Sequence, residues 1–190
     1  MGFFKSLFKE IVKVAEEAKF TPDFSKTEYD NWLEFLNKGG SSEEWNNLLI
    51  VNNWHFKEDK YEKYQKEVKT VSDNYYYLLQ IIQREWSVLY NLKSYNGKHA
   101  KEFETMCLRD IAYYMEMRQI DLKYNEKTPV NVPAFTRLAM LYEKQGEYEK
   151  AAFICKEACV LGIDERSRLD RMLKKAGRTP TAEESALIEK

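Results

Sequence analysis

Residues 133–162 read PAFTRLAMLYEKQGEYEKAAFICKEACVLG, and the spacing within this stretch decides the fold. Phe135, Leu138, Ala139 and Tyr142 recur at intervals of three and four, which sets them on one face of a helix from about Pro133 to Lys144. Proline suits the opening turn, where its missing N–H has no intrahelical partner. Gly146 ends this helix, because the left-handed backbone of such a turn is readily adopted by glycine. Tyr148, Ala151, Ala152, Cys155, Ala158 and Cys159 then form the facing stripe of a second helix. Their small side chains let two backbones approach closely. A large residue at Ala151 or Ala158 would overpack the contact by roughly 1–3 kcal/mol.

The order of these residues resembles one tetratricopeptide repeat over 132–165: Phe135, Leu138-Ala139, Tyr142, a turn at Gly146, then Tyr148, Ala151 and Ala158. Ala139 stands where the family usually has glycine, and Ile163 where its closing proline falls. Pro129 matches the closing proline of a preceding unit. Met117 and Tyr124, however, fall where that unit would need alanines. A single unit is therefore expected, not a tandem array. One such unit cannot bury its own apolar face, so neighbouring helices must cover it. The resemblance implies a non-catalytic module that binds a protein or peptide. In the family the first helix of each unit lines the concave surface, which implies Thr136, Met140, Glu143 and Lys144 as peptide-binding residues. Some members clamp a terminal carboxylate with a lysine and an asparagine one turn apart. Thr136 and Met140 stand at those places here, so an apolar or extended peptide is expected instead.

Outward from the hairpin, the whole chain reads as helix. Gly2 to Lys19 is amphipathic, with Phe3, Phe4, Leu7 and Phe8 leading the apolar face. Thr27 caps a short helix bearing Trp32, Leu33, Phe35 and Leu36. Gly39-Gly40 stops it, and Ser41 with Glu44 makes a capping box for the next, which bears Trp45, Leu48, Leu49 and Val51. A long seam follows through Tyr61, Tyr64, Val68, Val71, Tyr75, Leu78, Ile82, Trp86 and Leu89. Ser72-Asp73 is the place where that helix would divide. Asn96-Gly97 marks a turn. The next helix carries Phe103, Cys107, Ile111, Tyr114 and Leu122. A basic helix from Asp164 to Ala176 and a short last helix near Thr181 close the chain. The expected fold is all-α, an irregular bundle of about eight helices. Its parts are an N-terminal helix at 1–20, a helical body at 21–128 and the hairpin with capping helices at 129–190, read as one continuous domain.

Composition narrows the functions. The chain has 190 residues, with 30 basic and 31 acidic side chains, a balance that argues against a nucleic-acid partner held by long-range charge. Cys107, Cys155 and Cys159 fall on apolar helix faces, and no secretory leader is read, so a reducing, cytoplasmic setting is expected. Cys155 and Cys159 share a helix face, yet lack the further ligands that zinc needs, so no metal and no cofactor are expected. His55 and His99 each stand apart from any nucleophile at defined spacing, and no catalytic residue is assigned. Two alternatives stay open. Phe3, Phe4, Leu7 and Phe8 would meet a membrane surface or a partner in a peripheral adaptor, Met1-Gly2 also fitting a loose myristoylation pattern. The Tyr61–Leu89 seam would serve a self-associating structural protein, a homo-oligomer.

Overall fold

The structure is a computed structural model that describes residues 20–189. Eight helices and no strand lie among the described residues, so the chain is all-α. They are α1 (Glu28–Asn37), α2 (Ser42–Asn52), α3 (Lys60–Leu92), α4 (Lys98–Tyr124), α5 (Pro133–Gln145), α6 (Tyr148–Val160), α7 (Arg166–Lys175) and α8 (Ala182–Ile188). The expected helix with Phe3, Phe4, Leu7 and Phe8 lies outside the described residues. No described helix is long and apolar enough to cross a membrane. Contacts divide the chain into two compact units, one up to Lys63 and one from Tyr64 onward. The division does not fall at the Thr128–Pro133 linker, because α4 and α5 share a core across it.

The first unit is built around aromatic rings. Trp45 on α2 is buried and meets Phe20, Phe35, Trp54 and Phe56 at ring-centre distances of 5.7, 5.5, 5.8 and 5.8 Å. Both helices begin as their sequences require: Thr27 and Asp30 form one capping box, Ser41 and Glu44 another. Asn31 is fully buried and fastens the entry loop, accepting from the Asp23 N–H at 2.7 Å and donating to the Asp23 and Thr27 carbonyls at 2.9 Å. Leu33 and Val51, expected on apolar faces, are exposed.

In the second unit each helix packs on the next. α3 runs unbroken through Ser72-Asp73: the Ser72 hydroxyl bonds back to the Lys69 carbonyl at 3.0 Å, and Asp73 pairs with Lys69 at 3.2 Å. Its seam of Val68, Val71, Tyr75, Ile82, Trp86 and Leu89 is buried, whereas Tyr61 is exposed. The seam closes on α4 within the chain, Trp86 on Phe103 at 5.8 Å and Tyr75 on Tyr114 at 6.2 Å. On α4 the buried stripe is Phe103, Cys107, Asp110, Tyr114, Met117 and Asp121. It includes two aspartates, while Leu122 points outward.

α5 packs between α4 and α6. Tyr114 meets Phe135 edge-on at 6.3 Å, and the Tyr142 hydroxyl donates to Glu104 at 2.6 Å. Gly146 turns the chain at φ 78°. Ala151, Ala152, Cys155 and Ala158 are buried, so the backbones of α5, α6 and α7 come close. α8 covers α7 and α6. It is held by its Thr181–Glu184 capping box and by Arg178, which grips both Glu184 oxygens at 2.9 and 2.7 Å.

Candidate functional site

The inner face of α5 is occupied by Ala134, Phe135, Leu138, Ala139, Leu141 and Tyr142, all buried. Its other face carries the residues singled out from the sequence, and the structure separates them into two rows. Thr136 and Glu143 turn toward α7. The Thr136 hydroxyl donates to Glu165, whose carboxylate also accepts from Arg168 Nε at 2.8 Å. Glu143 accepts from Arg171 at 3.0 Å and Lys175 at 2.8 Å, with Arg168 at 3.5 Å. Partial burial raises the Glu143 carboxyl, but the Lys175 and Arg171 bonds outweigh it and hold the group below the ordinary glutamate range. These two residues are thus joined to the capping helix, and their polar atoms are engaged inside the fold.

Met140 and Lys144 lie in the second row, with Arg137. Positions 137, 140 and 144 recur at i, i+3 and i+7, one ridge of the helix. Met140 is half-buried against the core, and its sulfur is 3.6 Å from Arg137 Nη1. The Arg137 guanidinium lies over Trp86 of α3, 5.7 Å from the ring centre, and its buried Nε–H has no acceptor among the described residues. Lys144 is exposed, its ammonium 5.9 Å from the Tyr95 ring. Gln145 fixes the neighbouring loop by donating to the Tyr95 carbonyl at 2.7 Å. Two cations therefore flank a thioether and aromatic rings, and neither meets a carboxylate among the described residues. Arg137 is not marked by the tetratricopeptide resemblance, although the i, i+3, i+7 ridge contains it.

The other chemistry-bearing residues are placed as follows. His55 is exposed and lies 2.7 Å from the Asn53 carbonyl. His99 meets the Glu85 carboxylate at 3.0 Å, and that bond, with a second from Arg84, holds Glu85 below its ordinary range. No serine or cysteine hydrogen-bonds to either histidine among the described residues. Burial pushes the Cys107 thiol up, with nearby Asp110 adding and Arg137 opposing, and it pushes Cys155 up to about 12. Such thiols are poor nucleophiles at neutral pH. No cluster of three or more histidine, cysteine or acidic side chains suited to a metal occurs among the described residues.

Asp110 is not marked as buried by any spacing in the sequence. It is fully buried, both of its oxygens lack a partner among the described residues, and burial pushes its carboxyl up to about 7. Comparison with protein-family models, curated proteins and solved structures returns no match for this chain.

Proposed function

We propose that this chain is a non-catalytic module that binds a protein or peptide on the outer ridge of α5. The observation that carries the reading is Arg137: a cation laid on Trp86 that donates to the Met140 thioether and meets no carboxylate among the described residues. A half-buried guanidinium that meets no carboxylate among the described residues leaves its terminal nitrogens for one supplied from outside. Lys144 adds a second positive charge one turn along, and Met140 adds adaptable apolar surface between them. The ridge suits a peptide that presents a carboxylate beside an apolar side chain. The resemblance of residues 132–165 to a tetratricopeptide unit supports this reading, and α7 and α8 pack on the second helix of that hairpin. The localisation that fits this reading is cytoplasmic.

The test is a pull-down from the native host with the full chain and with Met140→Glu and Arg137→Ala. Both substitutions should release the same soluble partner while circular dichroism stays unchanged. Retention of that partner by both folded variants would contradict the reading. A partner lost only on removal of residues 2–19, with membrane association lost alongside, would favour the peripheral adaptor.

A further inference from the structure

The second unit contains a cavity of about 210 Å³ where α3, the end of α4 and the linker to α5 meet. That is below the roughly 300–1,000 Å³ typical of sites for larger ligands, so only a small molecule fits. Local chemistry builds the linker wall. Asn125 ends α4 in a left-handed turn at φ 61°, and the Glu126 N–H donates back to the Asp121 carbonyl at 2.8 Å. The Tyr114 hydroxyl donates to the Pro129 carbonyl at 3.1 Å, which ties the linker to the helix. Val68, Met117 and Pro129 give the cavity apolar surface, and Tyr64 and Tyr76 add aromatic rings.

The two charged residues that line the cavity have opposite signs, Asp121 and Lys127. Asp121 is 2% exposed. Its Oδ1 accepts from the Tyr64 hydroxyl at 2.9 Å, and its Oδ2 accepts from no described residue. Burial raises the Asp121 carboxyl, the Tyr64 bond opposes this, and the charge of nearby Glu126 adds to it. Lys127 is exposed on the linker and forms no ion pair among the described residues. The two charges thus share one cavity without pairing with each other. A lone cation would leave Lys127 unpaired and be repelled by it. A lone anion would meet the Asp121 carboxylate. A small molecule carrying both an ammonium and a carboxylate answers the two charges at once, through charge-assisted hydrogen bonds. The apolar part of the lining then takes a compact apolar side chain.

We propose that this cavity binds a free α-amino acid with an apolar side chain, its ammonium on Asp121 and its carboxylate on Lys127. The site shares no residue with the α5 ridge and does not depend on it.

The test is a titration of the isotope-labelled full chain with L-leucine, followed by amide chemical shifts. Two analogues are titrated beside it: isopentylamine, which lacks the carboxylate, and isocaproate, which lacks the ammonium. L-Leucine should saturate below about 10 mM and move the amides of residues 64–76 and 117–129. Each analogue should bind at least about tenfold more weakly. Lys127→Gln, at an exposed side chain, should weaken L-leucine about three- to tenfold with the helical signal unchanged. Asp121→Asn keeps an oxygen for the Tyr64 hydroxyl and should weaken it at least about tenfold. Arg137→Ala should leave binding unaltered. No saturation up to about 10 mM, shifts confined to other segments, or full affinity in Lys127→Gln would overturn the proposal. Isopentylamine binding as tightly as L-leucine would also overturn it, since the site would then read only a cation. Isocaproate binding as tightly would do the same, since Asp121 would then play no part.

Discussion

Asp110 makes the sharpest residue-scale prediction. Its carboxyl titrates near 7 in the fold, because burial without a hydrogen-bond partner disfavours the anion, against 3.8 ordinarily. Between those values the folded chain holds a proton that the unfolded chain has released. The stability tied to this group is therefore fully present below about pH 4 and is lost as pH rises through about 7. The midpoint of urea unfolding should fall between about pH 4 and 7, and Asp110→Asn should flatten that fall; an equal slope in both proteins would contradict the assignment. The residue also shows where reading stops. Periodicity finds α4's inward row through Phe103, Cys107 and Tyr114, then looks for the next apolar side chain and selects Leu122. The buried row in fact continues through Met117 and Asp121, whose carboxylate accepts from the Tyr64 hydroxyl at 2.9 Å. A buried aspartate is satisfied by a partner 57 residues away, and no local pattern contains that partner.

At the scale of elements, starts and stops were legible because caps are local chemistry. Thr27, Ser41 with Glu44, Gly146 and Thr181 all act where their residue types place them. Ser72-Asp73 does not divide α3, since the buried seam on either side outweighs a weak local preference. Two substitutions test element packing. Ala151→Leu should destabilise the hairpin by about 1–3 kcal/mol in urea unfolding, because α6 has no room for it; an unchanged midpoint would mean the α5–α6 contact is looser than described. Gly40→Ala should cost a similar amount, since its new methyl would lie 2.1 Å from the Phe35 ring. Glu143→Gln should loosen α7. It weakens bonds to Arg171 and Lys175, both partly exposed, so the loss should be on the order of 1 kcal/mol or less; faster amide exchange in α7 than in α4 would show it.

Across the whole molecule, the all-α class was plain from the sequence, because long stretches repeat at three and four with few breakers. The hairpin's inner face was equally plain, since Phe135, Leu138, Ala139 and Tyr142 are buried as their spacing requires. The long seam was ambiguous, because the same pattern serves a partner helix in this chain or in another copy. Structure closes it on α4. The candidate site was legible only in part. Met140 and Lys144 remain on the outer ridge, whereas Thr136 and Glu143 are held by Glu165, Arg168, Arg171 and Lys175. Helix spacing orders residues around an axis, but it does not say which flank a later helix will cover. The measurement that tests the binding account most directly is photo-crosslinking in native-host lysate. Benzoylphenylalanine would be installed either at position 144 on the α5 ridge or at position 153, where Phe153 is exposed on α6. The account predicts one defined adduct from position 144, abolished by Arg137→Ala, and none from position 153. An adduct from position 153 alone, or from neither position, would contradict it.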